Sequence, residues 1–415
     1  MITFVHTADI HFGMENYGRI DAKTGIHTRL LDFKKALDSC ITYAIDEAVD
    51  LFVFAGDAYK THHPSQTHQK LLIDCFMRLH RAQIPVVIVV GNHDHPVSFG
   101  KAHALDLFSQ LPVDTFYVFA KPGIKTIATK SGPVQIVGMP WPTRSTISLS
   151  NAHAQSSQRS MSDYIAQGMA QIIAGSAQEL DPQLPAILVG HLTVSSGIFS
   201  GSEKQAIYGT DPILLPSQLA IAPFDYVALG HLHRYQNLNP HGHPAIVYSG
   251  SIERIDFGER KEEKGFCAVT IHDKQKTTHE FIRVPTRPFL QIEITLHDQK
   301  PQTEQIIAEL AKHPLDEAII KIIYHLPAGM NDRVNIKAIQ DACAHAHMLV
   351  NLLPIRHVTK RERRLGIHNT VPDVKQMLHN YFDQQPALQD KKSDLIDKTL
   401  ALLADISAQQ EEQNS

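Results

Sequence analysis

Cysteine is scarce in this chain of 415 residues: Cys40, Cys75, Cys267 and Cys343 stand far apart, with no CxxC pair. That spacing argues against a zinc ribbon and a disulfide framework, and reads as reduced core residues of a cytosolic protein. A basic excess is missing too. Thirty-nine Lys and Arg against 43 Asp and Glu leave a net charge of -4, so any contact with nucleic acid needs a local patch or a partner subunit. No apolar run reaches a membrane span, and Met1 leads into a strand without the basic region and apolar core of an export signal. A soluble, cytoplasmic protein with no membrane association is expected. Walker loop, GxGxxG, HExxH and GxSxG are all absent, so P-loop hydrolysis, Rossmann redox, zincin and α/β-hydrolase chemistry lose their main support.

Histidine is abundant, 26 in all, and many of these residues fall where strands stop. Short β-branched runs without alternation suit strands covered on both faces. Ile2–Thr7 leads into Asp9 and His11; Leu51–Ala55 stops at Gly56-Asp57; Val86–Val90 stops at Gly91-Asn92-His93-Asp94. Helical spacing over Arg29–Val49, with Leu30, Phe33, Leu37, Ile41 and Ile45, and over His68–Arg81 separates them, and a further helix is expected near Phe99–Leu111. A second series follows. Val134–Gly138 ends at Met139-Pro140-Trp141-Pro142, Ala186–Val189 at Gly190-His191, and Tyr226–Leu229 at Gly230-His231-Leu232-His233. Residues 145–162 read as a polar loop before a helix Tyr164–Ile173, and Ala245–Tyr248 and Phe266–Ile271 complete a β-rich half. Strands alternating with helices, with polar residues at the strands' C-terminal ends, are the α/β layout.

From Pro285 the glycine-plus-donor endings stop. Strands Phe289–Leu296, Ala318–Tyr324 and Met348–Leu352, with helices Glu304–Ala311 and Val334–Ala344, form a small α/β unit. Beyond it lie a basic run Lys360–Arg364, a helix Pro372–Phe382, an amphipathic helix Leu395–Ile406 with Leu395, Leu402 and Ile406 as apolar positions, and a disordered end from Gln409.

Collected, the strand ends offer Asp9, His11, Asp57, Asn92, His191, His231 and His233, a set of oxygen and imidazole donors without thiolate. Such donors suit manganese, iron or zinc better than calcium. Any one Gly-His dipeptide is ordinarily a loop histidine; five strand ends in series are hard to obtain from packing alone. Seven donors exceed one four-coordinate ion, whereas two ions about 3.5–4 Å apart sharing a carboxylate use them economically.

The series D-x-H, G-D, G-N-H-D, G-H and G-H-x-H resembles that of the calcineurin-like metallophosphoesterases. The loop Phe12–Arg19, Thr28–Phe33, Gly56–Lys60, and Ser249–Glu259 before Glu263–Phe266 narrow the resemblance to the SbcD-type DNA-repair nuclease subunits. It implies a two-sheet sandwich flanked by helices (residues 1–284), a small α/β cap (285–355) and a helical, partner-binding tail (356–415). It also implies two ions, manganese foremost, one on Asp9, His11, Asp57 and His233, the other on Asp57, Asn92, His191 and His231, with Asp57 bridging. His93 would face the scissile phosphate and assist the departing oxygen, oriented by Asp94, while a metal-activated water attacks. One departure is Lys60, where some members carry histidine; a phosphate contact there passes to Lys60 or His62. His62, His63, His68 and His95 read as loop or solvent residues.

By resemblance the chain is a nuclease acting on double-strand ends and hairpins as exonuclease and endonuclease. It would pair with an SbcC-type coiled-coil ATPase, with the tail helix as contact, and would form a homodimer through helices near Leu72–Leu79 and Leu105–Phe108. The mildly acidic charge leaves open a phosphodiesterase for small nucleotides; a non-catalytic repair scaffold is the third reading, opposed by the intact His93 and donor set.

Overall fold

The computed structural model describes residues 1–95, 102–143, 158–201, 211–357, 374–383, 388 and 391–413, with the side chains of the last helix described through Leu403. Two compact units result, Met1–His357 and Val358–Ser415.

The first unit opens with β1 (Ile2–Thr7), α1 (Thr28–Asp46), β2 (Leu51–Phe54), α2 (Gln66–Arg81), β3 (Val86–Val89), a single-turn α3 (Asp106–Gln110) and β4 (Phe116–Phe119). β5 (Gly123–Thr129), β6 (Gly132–Met139), α4 (Gln158–Glu179), β7 (Ala186–His191), β8 (Thr193–Val194), β9 (Ile213–Leu214), β10 (Tyr226–Gly230), β11 (Gln236–Asn237) and β12 (Ala245–Tyr248) follow. β13 (Gly265–Asp273) and β14 (Lys276–Arg283) then return to the first sheet. Two mixed six-stranded sheets result, ordered β14-β13-β1-β2-β3-β4 and β11-β12-β10-β7-β6-β5.

Alternation along each strand decides which layer it feeds. Phe4, Leu51, Val53, Val87 and Val89 meet Ile136, Ile187, Val189, Tyr226 and Ala228 between the sheets. Val5, Phe52, Phe54, Val86 and Ile88 turn outward to Phe33, Leu37, Leu72 and Phe76 of α1 and α2. The far sheet covers its outer face with α4 through Met169 and Ile173. This helix-sheet-sheet-helix sandwich explains the unalternating apolar strands, since both faces are dry. β1, β2 and β3 run parallel, as do β7 and β10, so their C-terminal ends collect the donor loops.

A three-stranded parallel sheet, β15 (Phe289–Thr295), β16 (Ile319–Leu326) and β17 (Met348–Arg356), packs with helices Gln302–Leu310 and Ile336–Ala342 around Ile292, Ile306, Leu310, Ile322 and Ile339. The Arg287 guanidinium grips both oxygens of Asp32 on α1 at 2.7 Å, joining the start of this unit to the sandwich.

Several expectations need correction. α4 begins at Gln158, so residues 158–162 are helical rather than loop, while residues 145–157 lie outside the described ones. The helix expected near Phe99–Leu111 is confined, among described residues, to Asp106–Gln110. β4, β5 and β14 were not foreseen; β14 is an edge strand whose Lys276-Thr277-Thr278-His279-Glu280 run is too polar to signal one. Leu72, Leu79, Leu105 and Phe108 are interior, leaving Leu107 as the exposed apolar side chain of that pair of helices. In the second unit, the helices are Val374–Asp383 and Lys392–Gln413; Ile396 is buried, Leu402, one of the expected apolar positions, is exposed, and the last helix continues past Gln409. The basic run Lys360–Arg364 and the Ile406 side chain lie outside the described residues.

Candidate metal centre

The seven donors come together at one end of the sandwich. Asp9, His11 and His233 have ligand atoms within 4.8 Å of one another, and so do Asp9, Asp57 and His191. Asn92 closes the other side, its Oδ1 2.9 Å from His191 Nε2 and 3.1 Å from His231 Nδ1. Asp57 sits between the halves: its Oδ2 lies 3.7 Å from His11 Nε2 and 3.4 Å from His191 Nε2. All but Asn92 are buried, Asp9 and His191 completely.

The backbone is bent to achieve this. Asp9, His11, Asp57 and His231 all occupy positive φ, at 52°, 50°, 58° and 104°. Such conformations cost about 1–3 kcal/mol each outside glycine and persist where surroundings over-determine them. Here the Asp9 carboxylate accepts the His231 amide at 3.0–3.1 Å, and the Asp9 and His11 amides donate to the carbonyls of Gly56 and Asp57. The glycines are required by proximity: a Cβ on Gly91 would strike the Asp57 carboxylate, and one on Gly56, itself at φ 99°, the His191 ring.

Three of the four imidazoles are aimed by their other nitrogen. His191 Nδ1–H donates to the Ala55 carbonyl at 2.7 Å, His233 Nδ1–H to Glu259 at 2.9 Å, and His231 Nε2 faces Asp211 at 3.2 Å. Inward, therefore, His233 Nε2 meets His11 Nε2 at 3.1 Å, and His191 Nε2 meets the oxygens of Asn92 and Asp57. Two acceptors this close need a proton or a cation between them. Burial pushes the Asp9 carboxyl up to about 7, partly offset by His191 and His233. Burial disfavours charge on His191, but Asp57 and Asp9 outweigh it and raise the ring to about 9. Burial holds His11 well below its usual range. Asp57, despite its own burial, is held well below the carboxylate range by His191 and His93. A buried pocket of inward-facing carboxylate, amide and imidazole donors without thiolate fits divalent ions of nitrogen and oxygen preference, consistent with a dimetal site.

His93 and Asp94 part company here. The His93 side chain is 45% exposed, its Nε2 is 4.0 Å from Asp57 Oδ2, and its Nδ1–H donates to the Lys60 carbonyl at 2.8 Å. Asp94, expected to orient His93, has its contacts elsewhere. Its buried carboxylate instead accepts the amides of Gly91, Asp57 and Ala58 at 2.9–3.1 Å, pinning the Asp57 loop. Strand-end reasoning also passed over Glu259, Asp211 and Trp141. Trp141 packs over His231 with ring centroids 4.7 Å apart. A carboxylate spaced 26 residues from the histidine it touches leaves no local signal; for Trp141, its place at the end of β6, beside the other donor-bearing strand ends, was one. His68 lies on α2, its Nε2 3.4 Å from Glu15.

Among the chain's relatives is the SbcD component of the nuclease SbcCD from Staphylococcus epidermidis, 28% identical over 309 residues that cover 74% of this chain and 75% of the relative. Similar solved structures include a dimetal phosphatase from Danio rerio (10% identity, TM-score 0.37, 68% of this chain and 98% of that one) and the phosphopantetheinyl hydrolase of Mycobacterium tuberculosis (13%, TM-score 0.35, 60% and 90%). Residues 2–235, more than half of the chain and the span that contributes every one of the seven donors, match the calcineurin-like phosphoesterase family, and the chain belongs to it.

Proposed function

We propose that this protein is a nuclease subunit of the SbcD type, hydrolysing DNA phosphodiester bonds at a two-ion centre as exonuclease and endonuclease. The convergence of Asp9, His11, Asp57, Asn92, His191, His231 and His233 beneath an exposed His93 carries the reading. The relationship to an SbcD protein over three quarters of both chains supports DNA as substrate. Asp9, His11, Asp57 and His233 would hold one ion and Asp57, Asn92, His191 and His231 the other, manganese being the first candidate. Bound there, such ions supply Lewis-acid activation of the phosphoryl group and of the attacking water.

The chain's own residues do the rest. The Asp57 amide is fixed by Asp94, which keeps the Asp57 carboxylate between the two halves of the donor set. The Lys60 carbonyl fixes His93 Nδ1–H, so Nε2 is the atom turned to substrate, where it carries a proton to the departing oxygen. The parallel-stranded unit at 285–355 would act as a cap, and the helices beyond 356 as the seat of an SbcC-type coiled-coil ATPase. A homodimer is the proposed state, and the four free, buried cysteines suit a cytoplasmic protein. Among the described residues no helix is long and apolar enough to cross a membrane.

The purified chain with manganese should cut linear duplex and hairpin DNA, and the Asn92→Ala variant should not. Turnover of a generic small phosphodiester with DNA left intact would move the assignment to a small-substrate phosphodiesterase. Co-elution with a coiled-coil ATPase and ATP-stimulated cleavage would test the partner.

A further inference from the structure

His233 is the donor whose support reaches furthest from the strand ends. Its Nδ1–H donates to Glu259 Oε1 at 2.9 Å, while Glu259 Oε2 accepts from Lys264 Nζ at 2.8 Å and from the Ile255 amide at 3.0 Å. Lys264 Nζ also donates to the His233 carbonyl at 2.9 Å, so one ammonium holds both the main chain of the histidine and the carboxylate that aims its ring. Glu259 and Lys264 are 0% and 2% exposed. Burying this pair is costly and is repaid by close geometry and complete hydrogen bonding, which both carboxylate oxygens have.

A carboxylate can aim a ring only if it is itself fixed. The loop 249–264 that carries Glu259 is fastened on either side of it. Arg254 donates to the carbonyls of Glu262 and Arg287 at 2.8 and 3.2 Å, and Phe257 packs edge-on against Phe289 of β15 with centroids 5.1 Å apart. Sandwich and parallel-stranded unit thus grip the same loop.

We propose that Glu259, braced by Lys264, is a positioning residue of the metal centre: it fixes the tautomer and direction of His233 so that Nε2 points at Asp9 and His11. The proposal rests on the metal-binding reading of the site. Partners of this kind raise ligand basicity, and their loss costs about 10–100-fold in metal affinity.

Calorimetric titration of the metal-free full-length chain with manganese tests it. The unaltered chain should bind two ions. Glu259→Ala should weaken one of them by about 10–100-fold and leave the other within about twofold. Glu259→Gln, which keeps an acceptor for His233 Nδ1–H, should recover most of that loss. In a His233→Ala background, Glu259→Ala should add nothing, because the carboxylate acts through the ring. Undiminished affinity, equal loss at both ions, or additive losses in the double variant overturn the assignment. Should circular dichroism show Glu259→Ala unfolded, a folded Lys264→Met variant must weaken the same ion, and unchanged binding there is equally decisive against it. Failure of the unaltered chain to bind any ion would instead defeat the metal reading, and this inference with it.

Discussion

His93 Nδ1 lies 2.8 Å from the carbonyl oxygen of Lys60, a main-chain anchor 33 residues away that leaves Nε2 facing the donor cluster. A ring held by backbone keeps its direction whatever side chain stands at 60. His93→Ala should therefore lower DNA cleavage by about 10²–10⁴-fold, the usual worth of a placed acid, with manganese affinity unchanged by calorimetry. Lys60→Ala should have a much smaller effect on kcat. Loss of metal binding in the His93 variant would make it a ligand instead.

Asp94 is expected to act on stability. Replacing it with Ala strands the buried amides of Gly91, Asp57 and Ala58, each costing about 1–3 kcal/mol when unsatisfied. Urea unfolding of metal-free protein should show a loss of at least about 3 kcal/mol; an unchanged midpoint would contradict the role.

Trp141 is the chain's one tryptophan, and its ring stands 4.7 Å from that of His231. Binding of paramagnetic manganese beside His231 should quench the intrinsic fluorescence, and a chelator should restore it. Magnesium, if it binds, should quench far less. Equal responses would place the ions elsewhere.

His6 ties the two sheets together, its Nδ1 3.3 Å from the Tyr226 hydroxyl and its Nε2 3.2 Å from the Leu229 carbonyl. Burial pushes its pKa down to about 3, with the Leu229 carbonyl opposing. The folded ring stays neutral where the unfolded one protonates. Its stabilisation is therefore complete above about pH 6.5 and falls as pH drops toward about 3, by up to about 1.4 kcal/mol per pH unit. Urea midpoints from about pH 7 to about pH 4.5 should decline less steeply for His6→Asn than for the unaltered chain; parallel slopes would exclude His6 as a source.

Much of this was legible beforehand because burial on both faces and a two-residue period are local properties. Val86–Val89, Leu51–Phe54 and Ala186–His191 announce themselves as dry strands, and Gly56, Gly91, Gly190 and Gly230 mark where the chain must pass close to another backbone or side chain. β14 and the true start of α4 were illegible for the opposite reason: an edge strand and a helix beginning in a Ser- and Gln-rich stretch carry polar residues where pattern reading expects apolar ones.

The sequence by itself determined which residues stand at the strand ends, because strand length and glycine position are written along the chain. Only the tertiary structure decided what each does there. Asp94 follows His93 directly yet serves the Asp57 loop, while Lys60, Asp211 and Glu259 reach the imidazoles from distant segments. A hydrogen bond is set by the direction of a lone pair in space, and that direction exists only once the two sheets have closed on one another.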